Sequence, residues 1–251
     1  MSSTSLPWKH VWITGASSGL GEHVARQLAE RGCTVSITAR RAEQLEAIAK
    51  DYDNVHVYPA DVTDKEVLGD IVKQMEAQHG PVDLTVFSAG AWFQSSVREL
   101  KTENVAKTLD VNVMGVFNAL DAVLPQMLAR GGGHISWVAS VAGYGGLPMS
   151  ASYGASKAAL ISAAESMHSE LEKAGVTLSV INPGFVKTDM TAKNKFPMPF
   201  LMDVEDAAAK MIDGLEKKKF EIAFPWQLVW ILKFLNHLPY WLYLRIIKRL
   251  A

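Results

Sequence analysis

The sequence predicts an α/β protein: a Rossmann-like, doubly wound, seven-stranded parallel sheet with helices on both faces, followed by an apolar helical tail. Three observations predict it. From Lys9 onward, short apolar runs alternate with longer segments of helical period, the pattern of successive βαβ units. Small residues and glycines follow several of these runs, where such sheets place a ligand beyond the carboxyl ends of their strands. The length, 251 residues, suits one well-buried domain of this class, spanning 1–251 with 225–251 as an apolar, basic extension.

Each element follows from the same alternation. Residues 10–14, apolar and bounded by a glycine-rich turn, read as a strand, and the turn opens a helix over 18–31. Residues 34–38 form the second strand and 42–51 the second helix; a strand over 55–58 and a helix over 63–79 repeat the unit. A strand over 83–87 leads into a long helix over 103–128, then a strand over 134–138 and a helix over 152–173. Residues 176–181 make the sixth strand, 203–216 a helix, and 221–224 a last short strand.

Composition narrows the functional classes. Twenty-five basic and 26 acidic residues leave a formal charge of −1, so no global field favours nucleic acid. Cys33 is the only cysteine, which excludes an internal disulfide and fits a reducing compartment and a buried strand position. Seven histidines lie scattered from His10 to His237 without His-x-x-x-His spacing, so no metal site is predicted. Residues 1–9 contain no apolar core of a secretory signal, and a cytoplasmic location is expected.

The strand exits carry the candidate chemistry. After the first strand comes Thr14-Gly15-Ala16-Ser17-Ser18-Gly19-Leu20-Gly21, a glycine-rich turn opening a helix. Glycines let the backbone approach a pyrophosphate, and a helix N-terminus supplies unpaired N–H groups and positive potential; a plain tight turn is the alternative. After the second strand, where dinucleotide folds place an acid for the ribose hydroxyl, stand Arg40 and Arg41, which suit a 2′-phosphate and predict NADP(H) unless they are merely solvated helix residues. Asp61-Val62 follows the third strand; Asp61 would accept from an adenine amino group, with Val62 on the ring, or cap the next helix. Ser88-Ala89-Gly90 follows the fourth, small enough for a cofactor to cross the sheet edge. Asn112, a mediocre helix former, sits inside the long helix as either a buried kink or a functional group. Ser140 follows the fifth strand, where its hydroxyl can bind a carbonyl oxygen. Tyr153 and Lys157 lie four residues apart on one helix face, where an ammonium group is expected to draw the phenol towards ionisation; the alternative is an ordinary surface helix.

Together these motifs resemble the classical short-chain dehydrogenase/reductase family over roughly residues 8–224. The family's Thr-Gly-x-x-x-Gly-x-Gly pattern matches Thr14 to Gly21, its adenine-side acid Asp61, and its active-site tetrad Asn112, Ser140, Tyr153 and Lys157. Its Pro-Gly and following Thr match Pro183, Gly184 and Thr188, with Val186 between them. The usual Asn-Ala-Gly reads Ser88-Ala89-Gly90 here, which puts the local sheet hydrogen bonding in doubt. The resemblance implies hydride transfer with Tyr153 as acid or base, Ser140 on the substrate oxygen, Lys157 lowering the tyrosine pKa and holding the nicotinamide ribose, and Asn112 positioning a water. It also implies a homodimer or homotetramer pairing through the helices over 103–128 and 152–173.

The tail, 225–251, carries Lys233, Arg245, Lys248 and Arg249 and no acid, and its uncharged runs fall short of the ~18 apolar residues that span a bilayer. Two short helices broken near Pro239, rich in Trp and Tyr, fit an in-plane membrane contact, a subunit interface, or a lid over the cleft. The loop over 185–201, with Met190, Phe196, Met198 and Phe200, and the pair Trp92-Phe93 favour a lipophilic substrate. The expectation is thus NADPH-dependent reduction of a lipophilic ketone or aldehyde. The reverse oxidation and a cofactor-binding interaction module are its alternatives.

Overall fold

In the computed structural model, which describes residues 6–93, 97–194 and 196–250, seven parallel strands form one sheet in the order β3-β2-β1-β4-β5-β6-β7. The strands are β1 (His10–Thr14), β2 (Thr34–Thr38), β3 (Val55–Val57), β4 (Leu84–Phe87), β5 (Gly133–Val138), β6 (Val176–Pro183) and β7 (Glu221–Phe224). The helices are α1 (Gly19–Glu30), α2 (Ala42–Ala49), α3 (Lys65–His79), α4 (Thr102–Leu109), α5 (Gly115–Arg130), α6 (Ala151–Lys173), α7 (Val204–Glu216), α8 (Trp226–Asn236) and α9 (Tyr240–Ile247). Much of the expectation drawn from residues 1–9 rests on 1–5, which lie outside the described residues, as do Lys195 of the loop over 185–201 and Ala251 of the tail.

Side chains alternate across a strand, so β1 sends Val11 and Ile13 to one face and Trp12 to the other. Val35, Ile37, Leu84 and Val86 join the first face, covered by Val24 and Leu28 of α1 and by Met211 and Leu215 of α7. On the second face Phe87, Ile135, Trp137 and Leu178 pack under Leu68 and Val72 of α3, Leu120 and Val123 of α5, and Leu160 of α6. Each fully buried aliphatic or aromatic side chain of this kind contributes ~1.5–3 kcal/mol. The Trp12 ring meets Phe87 edge-on at 5.5 Å between centroids, and its Nε1 donates to Thr38 Oγ1 at 3.0 Å, so its polar atom is satisfied in the core.

Several boundaries differ from expectation for physical reasons. The long helix is not continuous: a π turn, Asp110–Met114, separates α4 from α5. The run Thr102–Arg130 is long and apolar enough to cross a membrane by length and composition, yet Val116, Ala119, Leu120 and Val123 pack into the sheet core. Helix α3 starts at Lys65, two residues later than read, because the Asp64 carboxylate accepts the Val67 N–H at 3.2 Å and caps it. Cys33 is buried but precedes β2 rather than lying in it; its thiol donates to the Trp8 carbonyl at 3.3 Å, and burial pushes it up to about 11. Strand β6 continues to Pro183 because β7 pairs alongside it as far as Phe224.

Candidate active site

The strand order reverses between β1 and β4, and a cleft of about 300 Å³ opens beyond their carboxyl ends. Gly15 begins it. Its φ is +70°, and a Cβ there would sit 2.5 Å from the Ala89 N, so only glycine lets the turn after β1 lie against the exit of β4. Gly21, expected among the cofactor contacts, does not line the cleft: a Cβ on it would meet the Gly15 carbonyl oxygen at 2.5 Å, so it serves the close packing of α1 on the turn. Ser17, Ser18, Gly19 and Leu20 do line the cleft, and α1 has no side-chain cap, which leaves the first N–H groups of that helix free for an anion.

The two arginines take different positions. Arg41 donates from one guanidinium nitrogen to Ser17 Oγ at 2.9 Å and Ser18 Oγ at 3.0 Å, holding the glycine-rich turn. Arg40 is largely exposed and pairs loosely with Asp61 at 3.7 Å. The other Asp61 oxygen accepts from Thr63 N at 3.0 Å and Thr63 Oγ1 at 2.9 Å, and with Asp64 as the α3 cap, Asp61 remains on the cleft wall beside Val62.

At the other end lie Ser140, Tyr153 and Lys157. Ser140 ends the extended chain after β5; its Oγ accepts the Ala142 N–H at 3.1 Å and donates to the Pro183 carbonyl at 3.4 Å. Lys157 Nζ donates to the Val138 carbonyl at 2.7 Å and stands 5.5 Å from the centre of the Tyr153 ring. Burial pushes the Lys157 ammonium down to about 8. Burial also pushes the Tyr153 phenol above its ordinary range, with the Ser140 hydroxyl acting in the opposite direction. The lowering of the phenol expected from its cationic neighbour is therefore not found: burial raises it, and the opposing influence is the Ser140 hydroxyl.

Asn112 is fully buried in the π turn and does not line the cleft. Its Oδ1 accepts the Ala91 N–H at 2.7 Å, and its Nδ2 donates to the Ala91 carbonyl at 3.0 Å and to Ser156 Oγ at 2.9 Å. Asn112 is thus the buried kink of the two alternatives: its side chain ties the segment after β4 to α6. A Cβ on Gly90 would lie 3.7 Å from Asn112 Oδ1 and 3.9 Å from Lys157 Nζ, so all three meet at one point. Ser88, in place of the usual Asn, donates its backbone N–H to the Thr14 carbonyl at 3.1 Å. Pro183, Gly184, Val186 and Thr188 form the opposite wall, with the Thr188 Cγ2 3.3 Å from where a Gly19 Cβ would be. Val186 and Met202 form an isolated parallel bridge that closes the loop between them.

Other cleft residues were missed. Ala39, Ala60 and Ala139 stand just beyond strands β2, β3 and β5, so the strand-exit rule alone would have found them. Val111, Asp189 and Thr191 also line it, and no sequence signal marked the first, because the π turn that exposes it left the apolar period undisturbed.

The tail lies against this site. Leu228 and Val229 of α8 pack with Val141, Tyr144 and Phe185, and the Tyr243 hydroxyl of α9 donates to the Gly146 carbonyl at 2.7 Å. Glu221 accepts from Tyr144 at 2.6 Å and from Asn182 at 3.0 Å, and pairs with Lys233 of α8. Burial acts to raise this carboxyl, but the hydrogen bonds from Lys233, Tyr144 and Asn182 together hold it below its ordinary range.

The chain matches the family model for short chain dehydrogenase over residues 9–197. It is 41% identical to an uncharacterized oxidoreductase of Myxococcus xanthus (strain DK1622) over 227 residues, covering 89% of this chain and 90% of that protein. An uncharacterized oxidoreductase of Staphylococcus epidermidis is 34% identical over 204 residues, 81% of this chain and 89% of the relative. Among solved structures, a short-chain dehydrogenase from Streptomyces avermitilis superposes with a TM-score of 0.82 at 27% identity, over 90% of this chain and 92% of that one. A structure of ElxO with NADP bound superposes with a TM-score of 0.77 at 25% identity, over 86% of this chain and 97% of the other. With the cleft at the switch point of its parallel sheet, the chain belongs to the short chain dehydrogenase family and is an oxidoreductase of that type.

Proposed function

We propose that the protein reduces the carbonyl of a lipophilic ketone or aldehyde with NADPH. The observation that carries this reading is the layout of one cleft: Arg40, Arg41 and Ser17 at one end, Ser140, Tyr153 and Lys157 at the other. The residues fit a dinucleotide, since Gly15 leaves a cradle that any Cβ would fill and the α1 N-terminus is uncapped. Arg40 and Arg41 supply forked donors for a 2′-phosphate, and the NADP-bound relative supports that choice. When bound, the nicotinamide supplies the hydride.

The remaining chemistry belongs to the chain. Tyr153, protonated at neutral pH, gives its phenolic proton to the carbonyl oxygen. The Ser140 hydroxyl can rotate to donate to the same oxygen. Lys157, in its charged form, steadies the phenolate left behind. Asn112 acts through Ala91 and Ser156 as a positioning residue. The apolar cover, with Phe185 and Phe196 edge-on at 6.0 Å and Met190 on the cleft wall, supports a lipophilic substrate. A homodimer or homotetramer is proposed with it, to be checked by light scattering of the purified chain.

The test is a panel of ketones and aldehydes graded by chain length, followed by NADPH oxidation. Rising kcat/KM with apolar length supports the reading. NADPH binding without turnover across the panel would instead leave a cofactor-binding module.

A further inference from the structure

The tail helices divide their apolar residues between two faces. On the inner face, Leu228, Val229, Tyr243 and Ile247 are buried. A Cβ on Gly145 would lie 2.8 Å from Tyr243 Oη and 3.2 Å from Asn236 Oδ1, so both helices rest on one loop and turn their other faces away from it. On the outer face, Trp226, Trp230 and Phe234 recur every fourth residue of α8 and are 65–69% exposed. Tyr240 and Trp241, at the start of α9, are 82% and 69% exposed.

Charge sorts in the same way. Lys233 points inward to Glu221, whereas Arg245, Lys248 and Arg249 are exposed and, among the described residues, held in no ion pair. Residues 225–251 contain no carboxylate side chain. An exposed aromatic face beside unpaired cations matches a surface that is apolar below and anionic above. A second copy of the chain docked symmetrically on this face would bring two sets of these cations into one interface with no carboxylate side chain of the tail to meet them. Helices of 11 and 8 residues are too short to cross a bilayer, but suited to lie along one.

We propose that the outer face of α8 and α9 docks the protein on an anionic lipid surface, with the Trp and Tyr rings at headgroup depth and Arg245, Lys248 and Arg249 on lipid phosphates. This does not rest on the reductase reading. Because the inner face packs on the loop following Ser140, docking holds the cleft roughly one helix diameter, ~10 Å, from the lipid.

The full chain is tested by sedimentation with vesicles of phosphatidylglycerol and phosphatidylcholine, against phosphatidylcholine alone, with tryptophan emission as a second readout. Expected is pelleting with the anionic vesicles at low salt, weakened by added NaCl, and a blue shift of emission. The doubles Trp230→Ser/Trp241→Ser and Arg245→Gln/Lys248→Gln should each lower vesicle partition about tenfold while the far-UV circular dichroism and urea midpoint, which report the fold, are kept. No pelleting with anionic vesicles, or equal pelleting of all variants, overturns the proposal. So does a dimer mass that halves in the tryptophan double, which would make a second copy the occupant.

Discussion

Tyr153→Phe keeps the ring and removes the proton donor, so turnover should fall about 10²–10⁴-fold while NADPH binding by fluorescence titration is unchanged. Activity close to the parent's would exclude the proposed acid. The Lys157 ammonium, held down to about 8 by burial, is charged below that pH and neutral above it. Reduction rates should therefore decline as pH rises through about 8, which a pH–rate profile reads directly. Arg41→Ala removes a guanidinium that touches Ser17 and Ser18 and should cut the NADPH over NADH preference about 10-fold or more, as expected for a charged hydrogen bond of ~1.5–3 kcal/mol. At this scale most of the site was legible, because strand exits and motif spacing locate residues such as Ser140 and Tyr153. What stayed hidden was how neighbours share the work: adjacency alone cannot say that Arg41 holds the turn while Arg40 faces Asp61, or that Gly21 packs on Gly15 behind the cleft wall.

The π turn shows the same limit among elements. A single extra residue in a helical turn hardly alters the apolar period, so the sequence reads as one helix where the chain forms α4, a π turn and α5. Asn112→Ala would leave the Ala91 N–H, the Ala91 carbonyl and Ser156 without their partner, and should destabilise the protein by about 3 kcal/mol in urea unfolding. The tail was ambiguous for a different reason: it is apolar nearly all round, so period alone could not tell its inner face from its outer one. Lys233→Met tests the inner face, since it leaves Glu221 half-buried and unpaired. A loss of ~2 kcal/mol is expected, less than the ~3–5 kcal/mol of a fully buried pair because water still reaches the site; an unchanged urea midpoint would mean that the pair is immaterial to docking of α8.

Across the whole molecule, His10 and His134 are buried and His56 half-buried, and all three are shifted towards the neutral form. Burial lowers His10 and His56 and takes His134 down to about 4. A histidine that titrates lower in the folded chain than its ordinary 6.5 favours the unfolded chain once protons are available. Stability should thus be complete above about pH 6.5 and fall towards pH 4, with about 3 kcal/mol from His134 alone. Urea midpoints measured from pH 7.5 to 4.5 check this, and a flat profile would contradict it. The sheet, its strand number and the cleft were readable from alternation because both faces are covered and each strand had to be apolar. The Val186–Met202 bridge was not, since a one-pair ladder leaves no pattern, yet it carries a consequence for how such a protein can diverge. With both ends fastened, Lys187 N–H to the Met202 carbonyl and Met202 N–H to the Phe185 carbonyl, the interior of that loop can change length at little thermodynamic cost, ~0.6 kcal/mol for each doubling. On the proposed function, insertion there would reshape the cover over the substrate, while Gly184 and Thr188, near the loop's first anchor, stay on the cleft wall unaltered.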